Sequence, residues 1–171
     1  MGQEIYKQLC EATGKRGGMY PGMDIPEFYE LAEELFSPEE AAVYMAIPRG
    51  FSPAETVAKN LGKNEEEVAT LLESMADKGL CTAGRMGEKT FYGAPPLVPG
   101  IFEFQFMRGT STERDRKLAR LIHTYKSAVN KNRGPQKISF PPNRVITVDR
   151  VVKAENKVHT YDQVKSYIEK Y

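Results

Sequence analysis

Two cysteines and two histidines are the only thiols and imidazoles in the 171-residue chain, and their spacing limits the chemistry they could support. Neither Cys10 nor Cys81 has a partner within four residues, so no metal-ligand spacing occurs. His123 lies on a charged helical stretch and His159 just before a helix start, and both read as surface residues. The paired acids Glu33/Glu34 and Glu39/Glu40 fall on helix starts or polar faces and read as structural. Gly14-Lys15-Arg16-Gly17-Gly18 lacks both the Walker spacing and a leading strand, which argues against a phosphate loop. The chain is therefore read as non-catalytic, with no catalytic, cofactor-binding or metal-binding residue assigned, and its two thiols as buried structural groups in a reducing compartment.

Charge is the more informative signal. The formal net charge is only +1, yet residues 24–78 hold thirteen acids against four bases, and residues 113–137 hold two acids against eight bases. Such segregation points to two functional surfaces, or to two halves that attract each other. No apolar run approaches the roughly 20 residues that span a bilayer, and the opening residues lack the apolar stretch of a secretory signal. A cytoplasmic protein without a membrane segment is expected.

The elements that must position these charges are mostly helical. A helix over 3–12 would place Ile5, Leu9 and Ala12 on one face and stop at Gly14, Gly17 and Gly18. Pro26 opens a second, with Phe28, Leu31, Ala32 and Leu35 at core-facing spacing. Three start signals follow, Ser37/Glu40, Ser52/Glu55 and Asn64/Glu67, each a capping side chain with glutamate three positions on. They predict helices over 38–46, 53–61 and 65–78, with core stripes Ala54, Val57, Ala58, Leu61 and Val68, Leu71, Leu72, Met75. Gly79 ends the last, and Leu80–Ala83 with Thr90–Tyr92 read as a β-hairpin.

Prolines 95, 96 and 99 mark a soft boundary near 93–99, followed by a short helical piece over 100–107. A long helix over 113–133, capped by Ser111 or Thr112, carries the stripe Leu118, Leu121, Ile122, Tyr125 and Val129. Strands are expected at 144–149 and 151–158. Thr160 with Gln163 caps a final helix whose stripe is Tyr161, Val164, Ile168 and Tyr171. The organisation predicted is an N-terminal helix and loop (1–24), a winged-helix domain (25–94), a helical linker with the long helix (95–134) and a β-α extension (135–171). The fold class is mainly α with small β: a winged helix-turn-helix, a long helix and a small α/β C-terminal extension.

The winged-helix reading rests on Ala58, Gly62 and Val68. The small residue lets two helices approach, glycine relieves the turn, and the aliphatic residue fills the angle between them. Such a fold ordinarily suggests DNA binding through helix 65–78 and the wing. Glu65, Glu66 and Glu67 at the start of that helix repel a polyanion. Arg85 and Lys89 on the wing are too few to supply a specific binder's phosphate contacts. Arg114, Lys117 and Arg120 project from adjacent turns of the long helix, but no aromatic stacking platform is interleaved. The glutamates and this basic trio are the candidate interaction surface, with Arg85 and Lys89 as candidate wing contacts.

The segments Phe36-Ser37-Pro38-Glu39-Glu40-Ala41, Glu65-Glu66-Glu67-Val68 through Lys78-Gly79-Leu80, Val98-Pro99-Gly100-Ile101-Phe102-Glu103 and Leu118-Ala119-Arg120-Leu121 resemble, in this order, the N-terminal region of bacterial ferredoxin-type iron–sulfur proteins. The tail Arg144-Val145-Ile146 through Ile168 is similar to that family's link into its cluster domain. The resemblance covers residues 26–171. It implies an electron-transfer protein in which a downstream cysteine-rich module holds [4Fe–4S] clusters, and a partner that is either another protein or this module. No cysteine follows Cys81, so no cluster ligand carries over to this chain. A fragment of a longer protein, or a form that has lost the module, would account for this. The alternative expectation is a winged-helix transcription regulator, dimeric through the long helix.

Overall fold

The computed structural model describes residues 2–134 and 160–170. The chain divides into two units, one ending at Pro135 and one from Gln136 onward. The strands expected at 144–149 and 151–158, His159 and Tyr171 lie outside the described residues.

Helix α1 (Gly2–Arg16) runs through Gly14 and stops at Gly17 and Gly18, both at positive φ. Its buried face is Tyr6, Leu9, Cys10 and Thr13, rotated from the Ile5–Leu9–Ala12 face that periodicity suggests. Tyr6 and Thr13 can turn inward because each hydroxyl finds an acceptor: Tyr6 donates to Phe36 O (2.8 Å) and Thr13 to Leu9 O (2.8 Å). Helix α2 (Pro26–Leu35) opens on Pro26 and buries Phe28, Leu31, Ala32 and Leu35, the predicted stripe. Helix α3 (Pro38–Ala46) starts with the complete Ser37/Glu40 capping box.

The Ser52/Glu55 signal does not act as a cap. Phe51–Pro53 forms a short strand, β1, in which Ser52 is buried and pairs with Tyr92. Helix α4 (Ala54–Leu61) begins after it without any side-chain cap. Gly62 ends α4 in the left-handed conformation, its N–H donating to Ala58 O. Asn64 then caps helix α5 (Glu65–Asp77), accepting from the N–H groups of Glu66 and Glu67. Ala58, Val57, Val68, Leu72 and Met75 are buried together. The Gly62 turn thus joins two helices across a shared apolar face.

Gly79, at φ +72, ends the helical run where no side chain would fit: a Cβ there would sit 2.8 Å from that of Phe104. The hairpin strands are β2 (Thr82–Met86) and β3 (Lys89–Gly93), longer and more tightly turned than predicted, with only Gly87-Glu88 between them. Strand order is β1-β3-β2, all antiparallel. Among the described residues the protein is therefore mainly helical with a small three-stranded antiparallel sheet.

The boundary expected near 93–99 falls inside the first unit. Leu97, Val98, Ile101 and Phe102 are buried in the common core, in an irregular segment (Leu97–Ile101) that leads into the single turn α6 (Phe102–Phe104). Helix α7 (Glu113–Arg133) carries a capping box from Thr112 and Asp115. Its Leu118, Ile122, Tyr125 and Val129 are buried, and Tyr125 packs edge-on against Phe28 of α2 at 5.8 Å between ring centroids. A dimer through this helix cannot use that stripe, which is spent within the chain.

In the second unit, α8 (Tyr161–Lys170) is capped reciprocally by Thr160 and Gln163. Tyr161, Val164 and Ile168 are exposed on it. No helix among the described residues is long and apolar enough to cross a membrane.

Candidate interaction surfaces

The first surface is acidic and belongs to α5. Asn64 holds the first turn by its side-chain carbonyl, 2.8 Å from Glu66 N and 3.2 Å from Glu67 N, and Glu65, Glu66 and Glu67 are exposed around it. Carboxylates there also complement the positive end of the helix dipole. Glu66 and Glu67 line a shallow groove with Glu39 of α3, floored by Leu71. Lys63 pairs with Glu39 at 2.6 Å. Two of the predicted acidic trio, Glu66 and Glu67, are thus joined by Glu39, a carboxylate that spacing alone did not bring to them.

The opposite end of α5 is fixed to α3. Lys78, just past the helix, reaches Glu40 at 2.6 Å, while Glu40 also accepts Ser37 N–H at 2.8 Å. Burial alone would push the Glu40 carboxyl up, but the Lys78 ammonium and the Ser37 donors outweigh it and hold the group below the ordinary glutamate range. Glu40 had read only as a cap. The buried amide of Gln105 caps the same corner, donating to Lys78 O at 2.9 Å. Tyr92 of β3 donates to the Glu73 carboxylate, tying the sheet to α5.

The second surface is basic and belongs to the N-terminal half of α7. Arg114, Lys117 and Arg120 do converge, joined by Arg116, along a cleft that also contains Glu34 and Glu113. Lys117 is committed to an ion pair with Glu34 of α2. Asp115 is likewise engaged: it accepts from Thr112 N (2.7 Å) and the Thr110 hydroxyl (2.8 Å), and these donors hold its carboxyl below the usual range. Arg116, which the i, i+3 spacing passed over, takes Lys117's place as an outward cation.

The two residues predicted as wing contacts are not brought together. In the β2–β3 register Arg85 opposes Thr90 and Met86 opposes Lys89. Neighbouring strand positions face opposite sides, so Arg85 and Lys89 project from opposite faces of the ribbon, with Glu88 at the turn between them.

The thiols fit no cluster. Both are buried, and burial pushes Cys10 up to about 11 and Cys81 up to about 12, so each stays protonated at neutral pH. Four thiolates hold a [4Fe–4S] cluster, and this chain has two cysteines in all. His123 is exposed on α7. Among the described residues no three His, Cys, Asp or Glu side chains are placed to hold a metal ion. No protein-family model matches the chain, and no curated protein matches it.

Proposed function

We propose that this chain is a non-catalytic winged-helix interaction module, the N-terminal part of a ferredoxin-like [4Fe–4S] electron-transfer protein, that docks protein and not DNA. The order α3–β1–α4–α5–β2–β3, with Ala58, Gly62 and Val68 packed at the α4–α5 turn, supports the winged-helix reading. One observation carries the functional part: the start of α5, which would enter a DNA groove in such a fold, presents Glu65, Glu66 and Glu67 to solvent, the last two lining a groove with Glu39. Phosphate contacts dominate DNA affinity, and this face offers carboxylates where lysines and arginines are needed. The split of Arg85 and Lys89 across the wing weakens a DNA reading further.

The electron-transfer part rests on the resemblance. The chain itself holds no cofactor, and the clusters belong to a cysteine-rich module encoded after Tyr171. Reading the gene past that codon, and measuring iron in the longer product, tests this part. Closely spaced cysteines and bound iron support it, and a stop codon at that position removes it.

A gel-shift series over salt tests the docking part. Absence of duplex binding at low salt is expected, whereas tight binding that falls steeply with salt would favour the alternative, a winged-helix transcription regulator.

A further inference from the structure

The seven cations of α7 divide by what they touch. Lys117 pairs with Glu34, Lys126 lies 5.1 Å from the Tyr20 ring centroid, and Arg133 donates to Met19 O at 2.7 Å. Arg114 sits beside Asp115 and shares in lowering its carboxyl. Arg116, Arg120 and Lys131 are exposed and make no ion pair among the described residues. Helical spacing puts these three on one ridge, opposite the buried Leu118, Ile122, Tyr125 and Val129, over about 22 Å.

Helix α5 has the complementary ridge. Opposite its buried Val68, Leu72 and Met75 lie Glu66, Glu73 and Asp77, all exposed, with Glu73 also accepting from Tyr92 and the Asp77 carbonyl from Arg108. Asp77 and Glu73 are four residues apart, as are Arg116 and Arg120, so antiparallel apposition sets both pairs in register. Within the chain each helix packs by its other face, α7 on α2 and α5 on α4.

We infer that the acidic ridge of α5 docks on the basic ridge of α7 in a second copy of this chain. A formal net charge of only +1 leaves little overall repulsion between copies, so the segregated charges govern their approach. The ridge on α7 also carries exposed Glu113 and His123 but no Phe, Tyr or Trp, and three cations without an ion pair among the described residues are few for a nucleic-acid backbone, which favours a protein face as its occupant. The contact needs no downstream module and so stands apart from the proposed function.

Sedimentation of the full chain across salt concentration tests this. At about 0.01 M salt, where charges are felt over roughly 30 Å, the average mass rises above that of the monomer, and at about 1 M it returns to it. R116E/R120E and E66K/D77K each lose association on the order of tenfold or more. An equimolar mixture of the two variants regains it, because each supplies the ridge the other needs. R116Q/R120Q, which only neutralises the ridge, loses less and replaces the reversal if that variant melts early. A monomer at low salt, wild-type association by either reversed variant, or a mixture that stays monomeric overturns the inference. So does loss of duplex binding in R116E/R120E with unchanged sedimentation, which would make the ridge a nucleic-acid surface.

Discussion

The capping boxes that open α3 and α7 have the same local design and opposite surroundings. In each, a hydroxyl accepts the N–H three residues on, at 3.2 Å, and an acid there accepts the cap residue's own N–H at 2.7 to 2.8 Å. Glu40 is 5% exposed in its side chain and shared with Lys78, so its box joins the start of α3 to the end of α5. Asp115 is partly exposed, makes no ion pair among the described residues, and bonds to Thr110 and Thr112 beside it. A cap's local geometry is written in four residues. Its contribution to stability depends on what else the acid touches.

Replacing Glu40 should therefore produce the largest effect. E40A removes the cap acid together with its charged hydrogen bond to Lys78, which is itself half in water, and we expect a loss of about 2 kcal/mol in urea unfolding. A loss under about 1 kcal/mol, as for an exposed cap, would erase the contrast. The pH dependence has a definite sign. Because the folded-state Glu40 carboxyl is held below its ordinary value of 4.5, it stabilises fully above that value and loses this contribution as pH falls through the lowered one. Wild type should lose stability in that acidic range faster than E40Q, and parallel pH profiles would contradict the coupling.

The hydroxyl partners should follow the same order. S37A should cost about 1 to 2 kcal/mol by chemical denaturation, because it loosens Glu40 as well as the cap. N64A should cost about 1 kcal/mol, since Asn64 satisfies two N–H groups with no acid answering it. T112A should cost least, about 0.5 kcal/mol. Equal losses for S37A and T112A would show that burial adds nothing to a cap.

Local features were legible in the residues: the caps at Ser37 and Asn64, the stripes of α2, α5 and α7, the stop at Gly79 and the hairpin. Non-local ones were not. Ser52 reads as a cap because Pro53 and Glu55 follow it, yet pairing with Tyr92, forty residues away, makes it a strand. The inward turn of Tyr6 depends on an acceptor thirty residues on. Among the surface charges, the acidic trio needed only the helix start to be found. Lys117 carries no local sign of Glu34, eighty-three residues before it, and spacing alone places it among the outward cations. Contacts at that separation depend on tertiary placement, which spacing within one helix does not encode.

The long reach of α7 bears on the order in which this chain acquires its structure during synthesis. The carbonyls of Met19 and Pro21, in the loop after α1, receive their hydrogen bonds from Arg133 and from Tyr125 at 2.5 Å, across 114 and 104 residues. A nascent chain released only as far as Gly93 already contains α3, α4, α5 and the whole sheet. Its N-terminal loop must wait, with these acceptors on water, until the last turns of α7 have left the ribosome. Late fastening of the N-terminal loop follows from where two donors sit in the order of translation.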